Sequence, residues 1–306
     1  MFKRLLNECS IDLTLTPQGA VLIKSGMPQI IGVDMAWVRV IRNGRQEVYL
    51  PGSSLKGMLR AHSERIARTI NENAACNPFG KSGKEKPFCG ETIPKNRRTD
   101  IRTPEDYKQS CLICRIFGNT YMMGRLATED AYVEGEPPVV QQRDGVGIDR
   151  FTGGASRGAK FELEVITGGT FKTTLHLQNF ELWQLGLLGF VLQDLRDSLV
   201  RLGSGKSRGL GKIKAEVSAI TLRYTKTKNA EKILQNHAGK LWGVGELFEE
   251  AAKYGMETDD VIAFNATNAT TEPSPFGALR QTVTLPFEAM PWENLAAKWV
   301  EKMKKS

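Results

Sequence analysis

Two hydrophobic periods alternate over the first two-thirds of the chain, and their order restricts the fold more than any other feature. Residues 3–15 place Leu5, Cys9, Ile11, Leu13 and Leu15 at weakly alternating positions, which predicts a strand, with a turn at 16–19 and further extended chain over 20–23. From Ser53 to about Ile70, Leu55, Leu59, Ile66 and the stem of Arg65 recur at roughly helical spacing, and Ser53 or Ser54 is placed to cap the start. Residues 125–133 alternate as a strand. Two further alternating runs, 160–166 and 170–180, flank Gly168-Gly169 and predict a hairpin. Residues 182–200 carry Leu182, Leu185, Leu188, Leu192, Leu195 and Leu199 on one face, a helix whose stripe belongs to a core. Residues 210–217 close the series as a strand. The resulting βαββαβ order is that of an α+β, ferredoxin-like or RRM-like unit.

The 306 residues, 41% of them hydrophobic, suffice for a folded core. Forty-two basic against 34 acidic residues give +8, and the basic ones gather around 39–68, 95–102 and 196–214, as suits a polyanionic partner. The N-terminus lacks an apolar run of signal-peptide length, and the longest apolar stretch, near 182–192, is too short to span a bilayer, so no membrane partner and a cytoplasmic location are expected. Five cysteines make an odd set for a secreted disulfide framework, in keeping with a reducing compartment.

Four of those cysteines cluster in the sequence. Residues 71–106 are rich in Gly, Pro, Asn and Lys and show little periodicity, yet they hold Cys76 and Cys89 and run into the pair Cys111-x₂-Cys114. A segment without a core of its own needs another staple, and four thiolates around one structural Zn²⁺ supply it; a redox pair and plain buried thiols are the alternatives. Four protein ligands leave no open position for catalysis. Cys9, isolated in a strand, reads as core. Lys95, Arg97, Arg98 and Arg102 lie near this insertion as an exposed charged loop or as nucleic-acid contacts.

Two basic stretches frame the remaining chemistry. In the first, Asp34 stands on a short Gly-containing turn, followed by Arg39, Arg42 and Arg45, then by Pro51-Gly52-Ser53-Ser54-Leu55-Lys56-Gly57. A helix start with free N–H groups, the hydroxyls of Ser53 and Ser54, Lys56 and, one turn on, Arg60 is a seat for a phosphate, or an ordinary solvated helix face. The second is Gly203-Ser204-Gly205-Lys206-Ser207-Arg208-Gly209-Leu210-Gly211-Lys212. Gly205-Lys206-Ser207 is not a nucleotide-binding P-loop, because Val200 stands where that motif needs Gly and the segment precedes a strand instead of following one. Backbone amides with Lys206, Arg208 and Lys212 fit close approach to an RNA backbone. His62, His176 and His237 sit in no catalytic motif.

Three ordered segments carry a resemblance: Ile31-Gly32-Val33-Asp34 with the Leu50–Gly57 run and Arg60, then Gly147-Ile148-Asp149-Arg150-Phe151-Thr152-Gly153-Gly154-Ala155, then the Gly203–Lys212 loop. Together they resemble the backbone subunits of type III CRISPR effector complexes, in the RAMP superfamily. The resemblance implies a RAMP core over 1–224 with a protruding thumb loop at 134–160. The cysteine segment at 71–115 is read as a zinc-binding insertion, and residues 225–306, where the composition changes and the motifs do not reach, as a C-terminal extension that packs on the core or docks a neighbouring subunit. The resemblance also implies guide crRNA and complementary target RNA as ligands, and neighbouring backbone subunits and the large polymerase-like subunit as partners. Ser53, Ser54, Lys56, Arg60, Arg39, Lys206, Arg208 and Lys212 would hold RNA, and Arg150 and Phe151 would belong to the thumb, with Phe151 either a wedge between base pairs or an anchor of the loop base. Asp34 would be the cleavage residue, acting with Mg²⁺ or another divalent cation. A catalytically inactive scaffold and a zinc-stabilised RNA-binding protein outside CRISPR systems are the competing readings.

Overall fold

Strand β1 (Asn7–Pro17) buries Cys9, Ile11, Leu13 and Leu15 on one face, the two-residue period of a strand lying on a core. In the computed structural model, residues 3–26, 32–78, 88–92, 103–226, 239–265 and 279–305 are described. Lys95, Arg97, Arg98, Arg102 and His237 lie outside them. A small hairpin follows β1, with β2 (Arg39–Arg42) and β3 (Arg45–Val48) joined at Asn43-Gly44, both at positive φ. Helix α1 (Gly52–Ile70) buries Leu55, Met58, Leu59, His62, Ser63 and Ala67, three or four residues apart. Neither serine caps it. The helix starts directly after Pro51, and the Gly52 N–H donates to the Asp130 carboxylate at 2.7 Å, so a distant acid does the work expected of Ser53 or Ser54.

The insertion contributes α2 (Cys89–Thr92), α3 (Thr103–Gln109) and α4 (Leu112–Phe117). After it come β4 (Leu126–Thr128), β5 (Tyr132–Glu134), β6 (Val139–Ile148), β7 (Ala155–Thr167), β8 (Thr170–Gln178), α5 (Leu182–Arg196) and β9 (Ile213–Thr225). The chain then forms β10 (Lys240–Trp242), α6 (Val244–Leu247), β11 (Val261–Ala263), β12 (Arg280–Leu285) and α7 (Trp292–Lys304). The main sheet has the order β12-β9-β1-β8-β4, with β5 also on β8, and every pairing is antiparallel. With β4 and β5 as one interrupted strand, the inner four follow the order fourth, first, third, second that a βαββαβ unit produces. The mixed α+β fold with an antiparallel sheet is therefore present.

Two sequence expectations are corrected. Gly168 and Gly169 do have positive φ, but β7 is not hydrogen-bonded to β8: it pairs with β6, and the glycines let the chain cross from that ribbon into the main sheet between β1 and β4. The expected loop at 134–160 is accordingly a paired ribbon, running from Val139 opposite Thr167 out to Ile148 opposite Ala155.

Residues beyond 224 complete the core. Strand β12 pairs with β9, and α7 packs on α5, which is buried on nearly every side. Close approach requires glycine there: a Cβ on Gly186 would meet the Leu295 carbonyl at 2.2 Å, and one on Gly189 the Trp292 ring at 2.2 Å. Among the described residues no helix is long and apolar enough to cross a membrane.

Candidate nucleic-acid interface and cysteine centre

The Asp34 turn, the glycine loop and the ribbon meet along a backbone ladder. Residues 20–23 lie at its centre. The Val21 and Ile166 N–H groups exchange hydrogen bonds with each other's carbonyls at 3.0 Å, which ties the segment to β7. Leu22 O accepts from Ser204 N at 2.8 Å and Ala20 O from Gly211 N at 2.8 Å, which ties it to the glycine loop. On its other side Val38 N donates to Ile23 O at 3.0 Å. Gly203 (φ 80°) and Gly211 (φ 88°) are obligatory in this ladder, since added Cβ atoms would stand 2.1 Å from Leu22 O and 2.3 Å from Leu202 O.

Asp34 is exposed and lies where its segment joins β7. Its Oδ2 accepts the Glu162 N–H at 2.8 Å, and the next residue bonds both ways, Met35 N to Glu162 O and Glu164 N to Met35 O, each at 3.0 Å. Among the described residues Oδ1 accepts no hydrogen bond. Arg39 is not offered to solvent as the basic ribbon suggested. Its guanidinium forks onto Glu164 at 2.5 and 2.7 Å, and this partner holds the Arg39 guanidinium pKa above its usual value.

Lys206, Arg208 and Lys212 are exposed along the glycine loop, where Lys206–Arg208 form one 3₁₀ turn between left-handed Gly205 and Gly209. The Arg208 guanidinium lies over the Phe161 ring, 5.4 Å from its centroid. Together with Lys24, Met35, Arg143 and Gly205, these two line a cavity of about 230 Å³ beside the Asp34 segment.

At the far end of the ribbon, Phe151 is 99% exposed, and Arg150 beside it is exposed as well. The turn that presents them stands without the ring. The Asp149 carboxylate accepts from Phe151 N (2.9 Å), Thr152 N (2.8 Å) and Thr152 Oγ1 (3.1 Å), and those donors hold its pKa below the usual carboxylate range. Asp149 N and Gly154 O close the turn at 2.9 Å. Phe151 is thus a free ring on a fixed mount, and of its two sequence readings it does not anchor the ribbon base. Phe161 packs part-way along the ribbon, lying across Gly145.

The first turn of α1 is held on another edge, by Asp130 and by Thr128 Oγ1, which donates to Gly52 O at 2.7 Å. Ser53 is exposed and Ser54 half-exposed. Lys56 is half-buried, and desolvation, with Arg60 adding repulsion, lowers its pKa. Arg60 turns away from solvent: it donates to Glu64 (3.0 Å), to the Gly118 carbonyl (3.1 Å) and to the Cys114 sulfur (3.5 Å). Arg68 repeats the pattern two helical turns on, bonding Glu64 at 3.3 Å and the Cys76 carbonyl at 2.8 Å. His62 is structural, bridging Asp194 on α5 (2.6 Å) and Arg65 (2.8 Å).

Those arginines lead to the cysteine centre. The Sγ atoms of Cys76, Cys89, Cys111 and Cys114 all lie within 4.8 Å of one another, with Cys76 and Cys114 3.7 Å apart. Four thiolates ~2.3 Å from a tetrahedral Zn²⁺ would stand roughly 3.8 Å from each other, so the set fits that ion. Backbone N–H groups already point at the sulfurs, Cys111 N at Cys89 (3.1 Å) and Cys114 N at Cys111 (3.4 Å). Hydrogen bonds among the four sulfurs lower the pKa of Cys76 and Cys111 and raise that of Cys89 and Cys114, so the crowded set shares its protons between the two pairs.

Glu164 and Asp149 went unread in the sequence. The Asp149-x-x-Thr152 spacing is a visible turn signature. Nothing local marks Glu164, whose partner is 125 positions away. No curated protein matches the chain. Residues 36–214, more than half of the chain, match the family model of the RAMP superfamily, and this span takes in the α1 start, the cysteine centre, the ribbon and the glycine loop. The chain belongs to the RAMP superfamily.

Proposed function

We propose that this protein is a backbone subunit of a type III CRISPR ribonucleoprotein, one that grips guide crRNA and cuts the paired target RNA through Asp34. RAMP proteins bind RNA within CRISPR complexes, which supports the RNA-binding half of this reading. The observation that carries the rest is the shared ribbon: the turn at the tip of β6 and β7 presents Phe151, and β7 holds the exposed Asp34 carboxylate through the Glu162 N–H. A ring inserted between base pairs would unstack a nucleotide, and an unstacked nucleotide can bring its 2′-hydroxyl in line with its own phosphate, which A-form stacking prevents. Lys206, Arg208 and Lys212 follow the guide backbone without reading bases, because pairing supplies sequence recognition.

Asp34 fits a hydrated divalent cation held through one protein ligand. One of its oxygens is fixed by Glu162 N–H, and the neighbouring acids are paired, Glu162 with Lys160 and Glu164 with Arg39. Bound there, Mg²⁺ would supply positive charge at the scissile phosphate. The cysteine centre, loaded with zinc, would brace α1 through Arg60 and Arg68. Neighbouring backbone subunits and the large polymerase-like subunit are the proposed protein partners.

One observation favours an inactive scaffold instead: the Glu162 N–H on Asp34 Oδ2 is also what a carboxylate does when it merely fastens a turn. Substituting Asp34→Ala in the assembled complex separates the two. Cleavage lost with guide RNA retained supports catalysis, and cleavage retained makes Asp34 structural. A purified complex lacking small guide RNA would favour an RNA-binding protein outside CRISPR systems.

A further inference from the structure

We infer that Glu164 is the positioning residue for Asp34, and that Arg39 serves the cleavage site through Glu164 instead of by binding RNA. The inference rests on the proposed catalytic role of Asp34.

Asp34 belongs to a short segment that has to be fixed at both ends for the carboxylate to stay in place. Its near end is fixed by the backbone of β7, through the Glu162 N–H on the Asp34 carboxylate itself and the two bonds that Met35 exchanges with Glu162 O and Glu164 N. The far end has backbone bonds to residues 23–25, Ser25 N to Ala36 O at 2.9 Å and Val38 N to Ile23 O at 3.0 Å, and Glu164 adds the side-chain clamp that ties it to β7. Glu164 Oε2 accepts the Trp37 N–H at 2.8 Å and Arg39 Nη1 at 2.7 Å, while Oε1 accepts Arg39 Nη2 at 2.5 Å. Arg39 Nη1 also reaches Trp37 O at 3.3 Å, so the guanidinium closes a ring around the segment it belongs to. Both Glu164 oxygens are engaged, and side-chain exposures of 18% for Glu164 and 25% for Arg39 leave the pair mostly shielded from solvent. Trp37, between Met35 and Arg39, is 1% exposed, so the clamp presses on a core residue that cannot give way.

Glu164 also sits two residues from Glu162 on the same strand. One strand therefore carries the amide that grips Asp34, the carboxylate that clamps the segment behind it, and the ribbon whose tip holds Phe151. From Glu162 to Ala155 that strand extends roughly 23 Å at ~3.3 Å per residue. Losing the Glu164 clamp would cut the tie between residues 37–39 and β7, leaving that stretch on its bonds to residues 23–25 and the Asp34 turn on the Glu162 and Met35 bonds. A displacement of about 1 Å at a reacting group costs roughly 100-fold in rate, and outer-shell partners of metal-holding carboxylates about 10- to 100-fold.

The test uses the assembled complex with its guide RNA and single-turnover target cleavage over a Mg²⁺ titration. Glu164→Ala should slow cleavage roughly 10- to 100-fold and raise the Mg²⁺ needed for half-maximal rate, with guide affinity unchanged. Glu164→Gln, which keeps the Trp37 bond but loses the charged fork, should fall between, and serves if the alanine variant does not fold. The exchange Glu164→Arg with Arg39→Glu should recover part of the rate. Wild-type cleavage in the Glu164 variants, in a system where Asp34→Ala abolishes it, overturns this inference and leaves the catalytic reading intact. Guide binding that falls in step with cleavage also overturns it, since Glu164 would then only hold the fold. If Asp34→Ala cleaves normally, the catalytic reading itself has failed.

Discussion

Phe151→Ala separates stability from function in a way that the geometry of the ribbon tip makes quantitative. The ring is 99% exposed, so removing it returns almost no apolar surface to water, and the turn beneath is held by Asp149. Thermal stability should therefore stay within about 0.5 kcal/mol of wild type, the usual range for surface substitutions. Stacking of a base on an aromatic ring contributes about 1–3 kcal/mol, so affinity for a short complementary target should fall roughly 5- to 150-fold. Target binding at fixed salt gives the first number, and a fluorescent base analogue at the displaced nucleotide reports unstacking directly. Phe151→Trp should preserve both. Asp149→Ala should mimic the loss although the ring remains, because its mount is gone. Unchanged affinity together with unchanged analogue fluorescence would refute the wedge. A clear fall in melting temperature would refute the claim that the turn stands without the ring.

Three further outcomes follow from the geometry. Elemental analysis should find about one zinc per chain, and chelation or Cys114→Ser should lower the melting temperature, because Arg60 and Arg68 couple that centre to α1; a metal-free preparation of full stability would contradict this. Replacing Lys206 and Arg208 together by Ala should lower the slope of log affinity against log salt by roughly 1.4, at about 0.7 per single-strand phosphate contact, and an unchanged slope would remove the glycine loop from the RNA path. Burial, reinforced by Glu181, pushes the Asp260 carboxyl up to about 8, against about 3.9 when unfolded. The folded form thus binds the proton more tightly, so this group's contribution is fully present below pH ~4 and is lost as pH rises toward 8. Asp260→Asn should flatten that decline and raise the melting temperature at pH 8, as seen by calorimetry across the range.

The main sheet was legible because its buried face alternates: Cys9, Ile11, Leu13 and Leu15 announce β1, and the leucines of 182–196 announce α5. The ribbon was not, because β6 is exposed along nearly all its length and the outer half of β7 carries no apolar alternation, so that only 160–166 read as a strand; Gly145 and Gly147 read as loop until Phe161 is seen lying across Gly145. The strand partner of β7 was misread for a related reason: positive-φ glycines permit a hairpin but do not compel one. The four cysteines could be grouped by composition alone, whereas the direction of Arg60 toward Cys114 depends on how the insertion folds back on α1. Arg39 looked like part of a basic ribbon because its partner, Glu164, comes from a strand far along the chain. The α1 start was misjudged likewise, its cap supplied by Asp130 across the sheet edge.

Cleavage by Asp34 depends on where its carboxylate stands when RNA is present. An experimental structure of the assembled complex with guide and an uncleavable target should place the Asp34 carboxylate beside the phosphate of the nucleotide displaced by Phe151, within reach of a hydrated divalent cation. A carboxylate facing away from the target strand, or a groove at the glycine loop filled by protein with the RNA elsewhere, would contradict it.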